Sequence, residues 1–435
     1  MPAPANPRPP RPAAPNRRPA DPPGTAARRA AMRLLDAVLR RGDPLEAALP
    51  AATRDLAEAN DRGLAHAIAA EALRRLPDLD AVIDSATRQR LPDDAKARTA
   101  LRIALVQALA LGTPPHAAIA TVLPLVDGGP RKLVHGVFGS LTRGGATLPD
   151  VPTLPPAVAE RWRAAWGEAA VAAAAAAIAA PPPLDLTLAD PDALAPDGLA
   201  LAPDQRRLVD AGPVARLPGY AEGKWWVQDV AASLPARLLG RGAGEVIDLC
   251  AAPGGKTMQL AAAGWNVTAL EVSPARAARL HENLARTGLP AKVVIADALH
   301  WAPPVPVDAL LIDAPCSATG IFRRHPDVLY RAHAAIVADM AALQAQLLAR
   351  AAEWVRPGGR LVYATCSLER AEGEDQLTRF LADHPDYRVD PPATGELPAG
   401  FAAHDRGYLR TLPGTLAAEG GCDGFFVVRL VRASA

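Results

Sequence analysis

An all-helical bundle followed by a doubly wound, mostly parallel α/β domain is the fold class the sequence predicts. Two observations carry it. Helical periodicity runs from about Ala26 to Arg143 with no strand-like run to interrupt it. From about Lys224 onward, five short apolar runs alternate with helical segments, the pattern of a parallel sheet covered on both faces. Between them, residues 149–220 are rich in Pro and Asp and are expected to form a small linking subdomain. The expected divisions are therefore 1–24, 25–148, 149–220 and 221–435.

Residues 1–24 are mostly Pro and Ala, with Arg8, Arg11, Arg17 and Arg18. So few large apolar groups cannot offset the entropy of ordering, and a disordered tail is expected. In the helical region Ala31, Leu34, Leu35, Val38 and Leu39 share one helix face. "LRIALVQALALG" is apolar nearly all round, which marks a central helix stopped by Gly112. "HAAIATVLPLV" and "KLVHGVFGSLTR" continue the pattern. Arg131, Lys132 and Arg143 near its end suit either phosphate contact or a solvated helix end. In the linking region "PAVAERWRAAWGEAAVAAAAAAIAA" is a long helix with a break at Gly167, and "PLDLTL" a short strand. The later runs are "EVIDLCA", "NVTALEV", "KVVIADA", "ALLIDAP" and "RLVYATC", with "GFFVVRL" as a closing strand.

The bulk properties set bounds. Half of the 435 residues are hydrophobic, ample for a core, and the net charge is +1, so a nucleic-acid surface must arise from local clustering. Cys250, Cys316, Cys366 and Cys422 form no C-x-x-C pair, which argues against structural zinc. The most membrane-like stretch, "AAVAAAAAAIAA", is too short to span a bilayer. The expectation is a cytoplasmic monomer with reduced thiols, no metal and no membrane partner.

The carboxyl edge of the sheet is where ligands bind in such folds. There "DLCAAPGGKT", Asp248 to Thr257, places a glycine pair at a strand-to-helix turn, so backbone can approach a ligand. Glu271, Asp297 and Asp313 end the next three runs. A dinucleotide site wants G-x-G-x-x-G, which is absent, and a P-loop spacing fails. A nucleoside cofactor without a phosphate cradle, S-adenosylmethionine, wants acidic residues along strand ends for ribose, adenine amine and ammonium. Asp248, Glu271, Asp297 and Asp313 supply them.

"DLCAAPGGKT", "DAPCSATG" and "TCS" at these three places resemble the Nop/Sun family of RNA cytosine-C5 methyltransferases. "WWVQDVAASLPARLL", "IFRRHPDV" and "RTLPG…GCDGFFVVRL" extend the resemblance over 224–435. The helical region resembles a NusB-like RNA-binding domain. The resemblance implies a Rossmann-like class I methyltransferase domain with a seven-stranded sheet, S-adenosylmethionine held by Cys250, Ala251, Ala252, Pro253, Gly254, Gly255 and Lys256 with Glu271, Asp297 and Asp313, and 16S ribosomal RNA as substrate and partner. Transfer RNA is the alternative target, and an inert RNA-binding scaffold the alternative class.

C5 of cytosine is a poor nucleophile inside an aromatic ring. A thiolate added to C6 breaks the aromaticity and makes C5 reactive, so an activated cysteine is needed. Cys366, at the end of the fifth run, is the expected nucleophile. Asp313 is the expected contact to N3 of the base. The resemblance assigns Cys316 to product release. A DNA-type enzyme would attack from the Pro-Cys turn instead; the additional Thr-Cys-Ser favours RNA. Arg323 and Arg324 are expected to meet RNA phosphate. Cys250 and Cys422 are expected as small buried groups.

Overall fold

The computed structural model describes residues 21–209 and 211–434, so the expectation for most of the 1–24 tail lies outside the described residues. Helices α1 (Thr25–Asp36), α2 (Leu45–Thr53), α3 (Ala59–Arg74), α4 (Leu76–Ser85), α5 (Lys96–Leu109), α6 (Pro115–Val122) and α7 (Gly128–Arg143) make the amino-terminal bundle. Leu101, Ile103, Ala104, Leu105 and Val106 on α5 are wholly buried, as a central helix requires, and Gly112 adopts positive φ just beyond its end. The same helix also buries Arg98 and Arg102, which pair with Asp84 and Asp80 at 2.7 Å. Arg131, Lys132 and Arg143 lie exposed at the two ends of α7.

The linking region holds α8 (Pro156–Trp166) and α9 (Glu168–Ile178), divided at Gly167 where φ is 81°. A small antiparallel sheet follows: β1 (Leu184–Leu188), β2 (Leu199–Ala202), β3 (Gln205–Leu208) and β4 (Trp225–Val227), in the order β2-β3-β1-β4. Since β4 pairs with β1, the small sheet runs past the expected boundary at residue 220. Trp225, wholly buried, belongs to that sheet's core and not to the larger domain.

The carboxy-terminal domain opens with α10 (Val230–Leu239), capped by the Asp229 side chain on the Ala231 N–H. It continues through β5 (Glu245–Leu249), α11 (Gly255–Ala262), β6 (Asn266–Glu271), α12 (Pro274–Thr287), β7 (Lys292–Ile295), β8 (Val307–Asp313), α13 (Val328–Arg331), α14 (Ala334–Trp354), β9 (Val355–Thr365), α15 (Glu374–Asp383), β10 (Tyr387–Val389), β11 (Leu409–Thr411) and β12 (Phe425–Arg432). The sheet order is β10-β12-β9-β8-β5-β6-β7. Strands β7, β6, β5, β8 and β9 are parallel; β12 and β10 add antiparallel. These seven form the expected sheet, and β11 pairs with β12 as an eighth strand. Near-continuous Val, Ile and Leu in β5 and β8 reflect burial on both faces.

The three regions interlock around the segment after Cys316. The Asp327 carboxylate accepts the Leu45 N–H at 3.2 Å, the Tyr330 hydroxyl donates to Leu73 O at 2.7 Å, and Arg331 donates to Gly42 O at 2.8 Å. From the linking region, Arg161 and Trp162 donate to Glu369 at 2.8 and 3.2 Å, and the Trp166 indole donates to Leu368 O at 2.8 Å. Among the described residues, no helix is long and apolar enough to cross a membrane.

Candidate active site

Four turns meet at the carboxyl edge of β5, β6, β8 and β9. The first, Cys250 to Lys256, leaves β5 through a positive φ at Cys250 and another at Gly254. A Cβ on Gly254 would lie 2.5 Å from Leu280, so the turn packs against α12 only with glycine there. A cavity of about 320 Å³ opens beside this turn, lined among others by Trp226, Gln228, Gly255, Lys256, Arg286 and Asp313.

The strand-end acids differ in their surroundings. Asp248 is fully buried beneath the turn and accepts the Thr257 hydroxyl at 2.5 Å; burial pushes its pKa up to about 7. Its second oxygen has no partner among the described residues. Glu271 accepts the Ala252 N–H at 3.3 Å and the Ser273 N–H at 3.0 Å, with Arg276 3.6 Å away. It therefore braces the first turn as well as marking the edge. Asp297 is exposed and accepts the Leu299 N–H and the His300 ring, both at 2.9 Å, which hold its carboxyl below the usual range. Asp313 accepts the Lys256 ammonium at 2.7 Å.

Lys256 ties the cofactor turn to the cysteines. Burial opposes its charge, but the Asp313 carboxylate and the neighbouring Cys366 sulfur outweigh that and raise its pKa. Its ammonium also sits 5.5 Å from the centre of the Phe425 ring.

The structure brings Cys316 and Cys366 together, sulfur to sulfur at 3.4 Å. The hydrogen bond to Cys366, with burial next and then the nearby charges of Cys366 and Glu372, pushes the Cys316 thiol well above its ordinary value. Desolvation pushes Cys250 up to about 12, although it is only half-buried where a buried group was expected; Cys422 is buried, and its thiol is pushed well above its ordinary value.

The burial of Arg323 corrects the expectation that it meets RNA phosphate; Arg324 stays partly exposed. Arg323 is 3% exposed and donates to Asp229 at 3.2 Å and Asp423 at 3.3 Å; Arg324 donates to Asp229 at 2.9 Å. Both guanidiniums join a network that links α10 to the approach of β12; Arg323 is buried within it and cannot reach a phosphate, while the Arg324 side chain keeps 23% exposure. The sequence missed Glu372, whose carboxylate lies between the two cysteine turns. The acidic stretch after Thr-Cys-Ser was its only signal.

Residues 238–431 match the family model described as 16S rRNA methyltransferase RsmB/F, and residues 25–140 that of the NusB family. The chain is 35% identical to ribosomal RNA small subunit methyltransferase B of Xanthomonas campestris pv. campestris, across 94% of this chain and 98% of that one. The chain belongs to this family. The same protein of Xylella fastidiosa strain Temecula1 is 37% identical, across 94% and 98% of the two chains. Among solved structures, PH0851 superposes with a TM-score of 0.73 at 22% identity, covering 94% of this chain and 99% of its own. NSun6 from Pyrococcus horikoshii, solved with SFG, superposes with a TM-score of 0.55 at 17% identity, covering 65% of this chain and 99% of its own. These likenesses show a shared fold; in this chain the helical NusB domain precedes the α/β methyltransferase domain. S-adenosylmethionine is the cofactor of this methyltransferase family. The edge fits it: four carboxylates, one with an unpartnered oxygen, and a glycine turn with no phosphate-binding spacing.

Proposed function

We propose that the protein methylates C5 of a cytosine in 16S ribosomal RNA, with Cys366 as nucleophile. The observation that carries this reading is the pair of sulfurs 3.4 Å apart beside the Lys256–Asp313 ion pair. Residues 250–256 with Glu271, Asp297 and Asp313 would hold S-adenosylmethionine, which supplies an electrophilic methyl group on a sulfonium. The chain's own residues do the rest. The Cys366 sulfur lies 3.4 Å from that of Cys316, and the attacking species is its thiolate. The thiolate adds to C6 of the cytosine, and the electron pair released at C5 takes up the methyl group. Before that transfer, the ring charge that the addition builds at N3 needs a proton donor. Asp313 accepts from Lys256, so the donor facing the base is the lysine ammonium, which has two N–H groups left beyond that bond. The Asp313 carboxylate suits the N4 amine of cytosine. Release needs the C5 proton removed, after which the C6–S bond breaks. Cys316 serves that step as the base, as a thiolate whose own proton has gone to solvent water.

The test is a pair of substitutions read on denaturing gels with radiolabelled 16S RNA. Cys366→Ala should lose both methyl transfer and any RNA-linked band. Cys316→Ala should transfer the methyl group and accumulate the linked band, because the product stays on sulfur until C5 is deprotonated. A linked band in Cys366→Ala and none in Cys316→Ala would overturn the assignment in favour of attack from the Pro-Cys turn. A map of 5-methylcytosine in a deletion strain tests the target: loss at a transfer RNA position with the ribosomal positions intact would replace 16S RNA with transfer RNA.

A further inference from the structure

Glu372 is wholly buried and takes part in no step above. It ends a short helical turn, Arg370–Glu372, after the Thr-Cys-Ser strand end. One carboxylate oxygen accepts the Ser317 N–H at 2.8 Å and the Gln344 amide at 3.3 Å. The other accepts the Ser317 hydroxyl at 2.5 Å and the Ser367 hydroxyl. Ser317 follows Cys316 in the chain, and Ser367 follows Cys366. The Glu372 carbonyl is held in turn, accepting the Tyr363 hydroxyl at 2.8 Å and the Thr365 hydroxyl at 3.1 Å. Burial raises the carboxyl's pKa, and the four donors oppose that rise.

Backbone bonds join the same two turns on either side of this point. Ala314 N–H donates to Ala364 O at 2.9 Å, and Gly320 N–H donates to Cys366 O at 3.0 Å. The cysteine of the first turn lies between these two ties. Pro315 beside it has no N–H to give, and its carbonyl is taken by Gln344 at 2.8 Å.

We propose that Glu372 is a positioning residue: its single carboxylate bridges the serines next to the two cysteines and fixes the sulfur separation on which attack and release both depend. The proposal rests on the cysteine roles given under Proposed function. It assigns Glu372 no contact with RNA or cofactor.

The experiment uses the full chain with Glu372→Gln and Glu372→Ala. Gln keeps the length and an oxygen for Ser317 N–H, while its amide can donate to the serine hydroxyls, which rotate. Ala leaves the serine donors without a common acceptor. The first readout involves no turnover. Phenylarsine oxide closes a ring across two adjacent thiols, forming two As–S bonds and releasing one water, and its affinity reports whether the sulfurs are held close. Glu372→Ala should bind it at least about tenfold more weakly, and Glu372→Gln within about threefold of the parent. The second readout is single-turnover methyl transfer. A misplacement of about 1 Å costs on the order of 100-fold in rate, so Glu372→Ala should fall by about that factor with the RNA concentration for half-maximal rate unchanged, and Gln should recover most of it. If Ala does not fold, Glu372→Asp, shorter by one methylene, should show the same losses. A folded Ala or Asp variant with arsenical affinity and rate both within threefold of the parent would overturn the proposal. Failure of the underlying reading looks different: methyl transfer would then survive in Cys366→Ala.

Discussion

Replacing Lys256 with Met removes one charge and one hydrogen bond from the centre of the site while keeping most of the side chain's volume. The ammonium is 2.7 Å from Asp313, and its side chain is only 10% exposed, so the bond is charge-assisted and largely screened from water. Hydrogen bonds to charged groups contribute about 1.5–3 kcal/mol. Asp313 retains some access to solvent, and water can take up part of the lost bond in the resting protein. The stability loss should therefore lie at the low end, about 1.5 kcal/mol. In the reaction the same ammonium gives a proton-bearing contact to the base. There the upper end applies, and about 3 kcal/mol corresponds to a rate loss of roughly 150-fold. Single-turnover transfer of labelled methyl into 16S RNA gives the rate, and urea unfolding gives the stability. A folded Lys256→Met protein with a rate within threefold of the parent would refute the role given to Lys256.

Two further outcomes follow from buried charges. Arg323→Ala leaves Asp229 and Asp423 short of a counter-charge and should destabilise the protein by about 3–5 kcal/mol in urea titrations; the salt dependence of RNA binding should stay unchanged, and a slope reduced by about one would restore a phosphate contact. Asp248, with its folded pKa raised to about 7 from an unfolded value near 3.8, binds its proton more tightly folded than unfolded. Its contribution is full below about pH 4 and is lost as pH rises toward 7. Asp248→Asn should remove about 2–3 kcal/mol of the stability decline between pH 5 and pH 8; an unaltered pH profile of the urea midpoint would show that Asp248 ionises normally.

Much of this arrangement was legible from local pattern. Gly167 divided α8 from α9 and Gly112 followed α5, because positive φ is a property of the residue itself. The strand-end acids were legible because alternation of apolar runs and helices gives each run's last residue the same edge. Partnership was not legible. Nothing local marks Arg98 and Arg102 as buried within a helix that reads as apolar; their partners lie on the preceding α4, and only folding shows the pairing. The same holds for Arg323 and Arg324, which in sequence look like free cations and in the fold answer Asp229, nearly a hundred residues earlier, and Asp423, as far downstream. Glu372 was hidden for a related reason: its meaning comes from two serines, one of them 55 residues before it. The β4 boundary was missed because a three-residue strand carries too little periodicity to show which sheet it joins.

The seam formed by Leu45, Leu73 and Gly42 against Asp327, Tyr330 and Arg331 bears on how this chain can be divided. The segment it grips runs on directly from the Cys316 turn, and the linking helix α8 grips the stretch just after Cys366. A fragment beginning near residue 221 would keep every group placed in the site and yet lose the outer supports of both cysteine turns. Transplanting the carboxy-terminal domain onto a different RNA-binding module would meet the same obstacle, since the new module would have to reproduce that seam. The unit that can be cut out, swapped or evolved independently is therefore larger than the sheet that carries the chemistry.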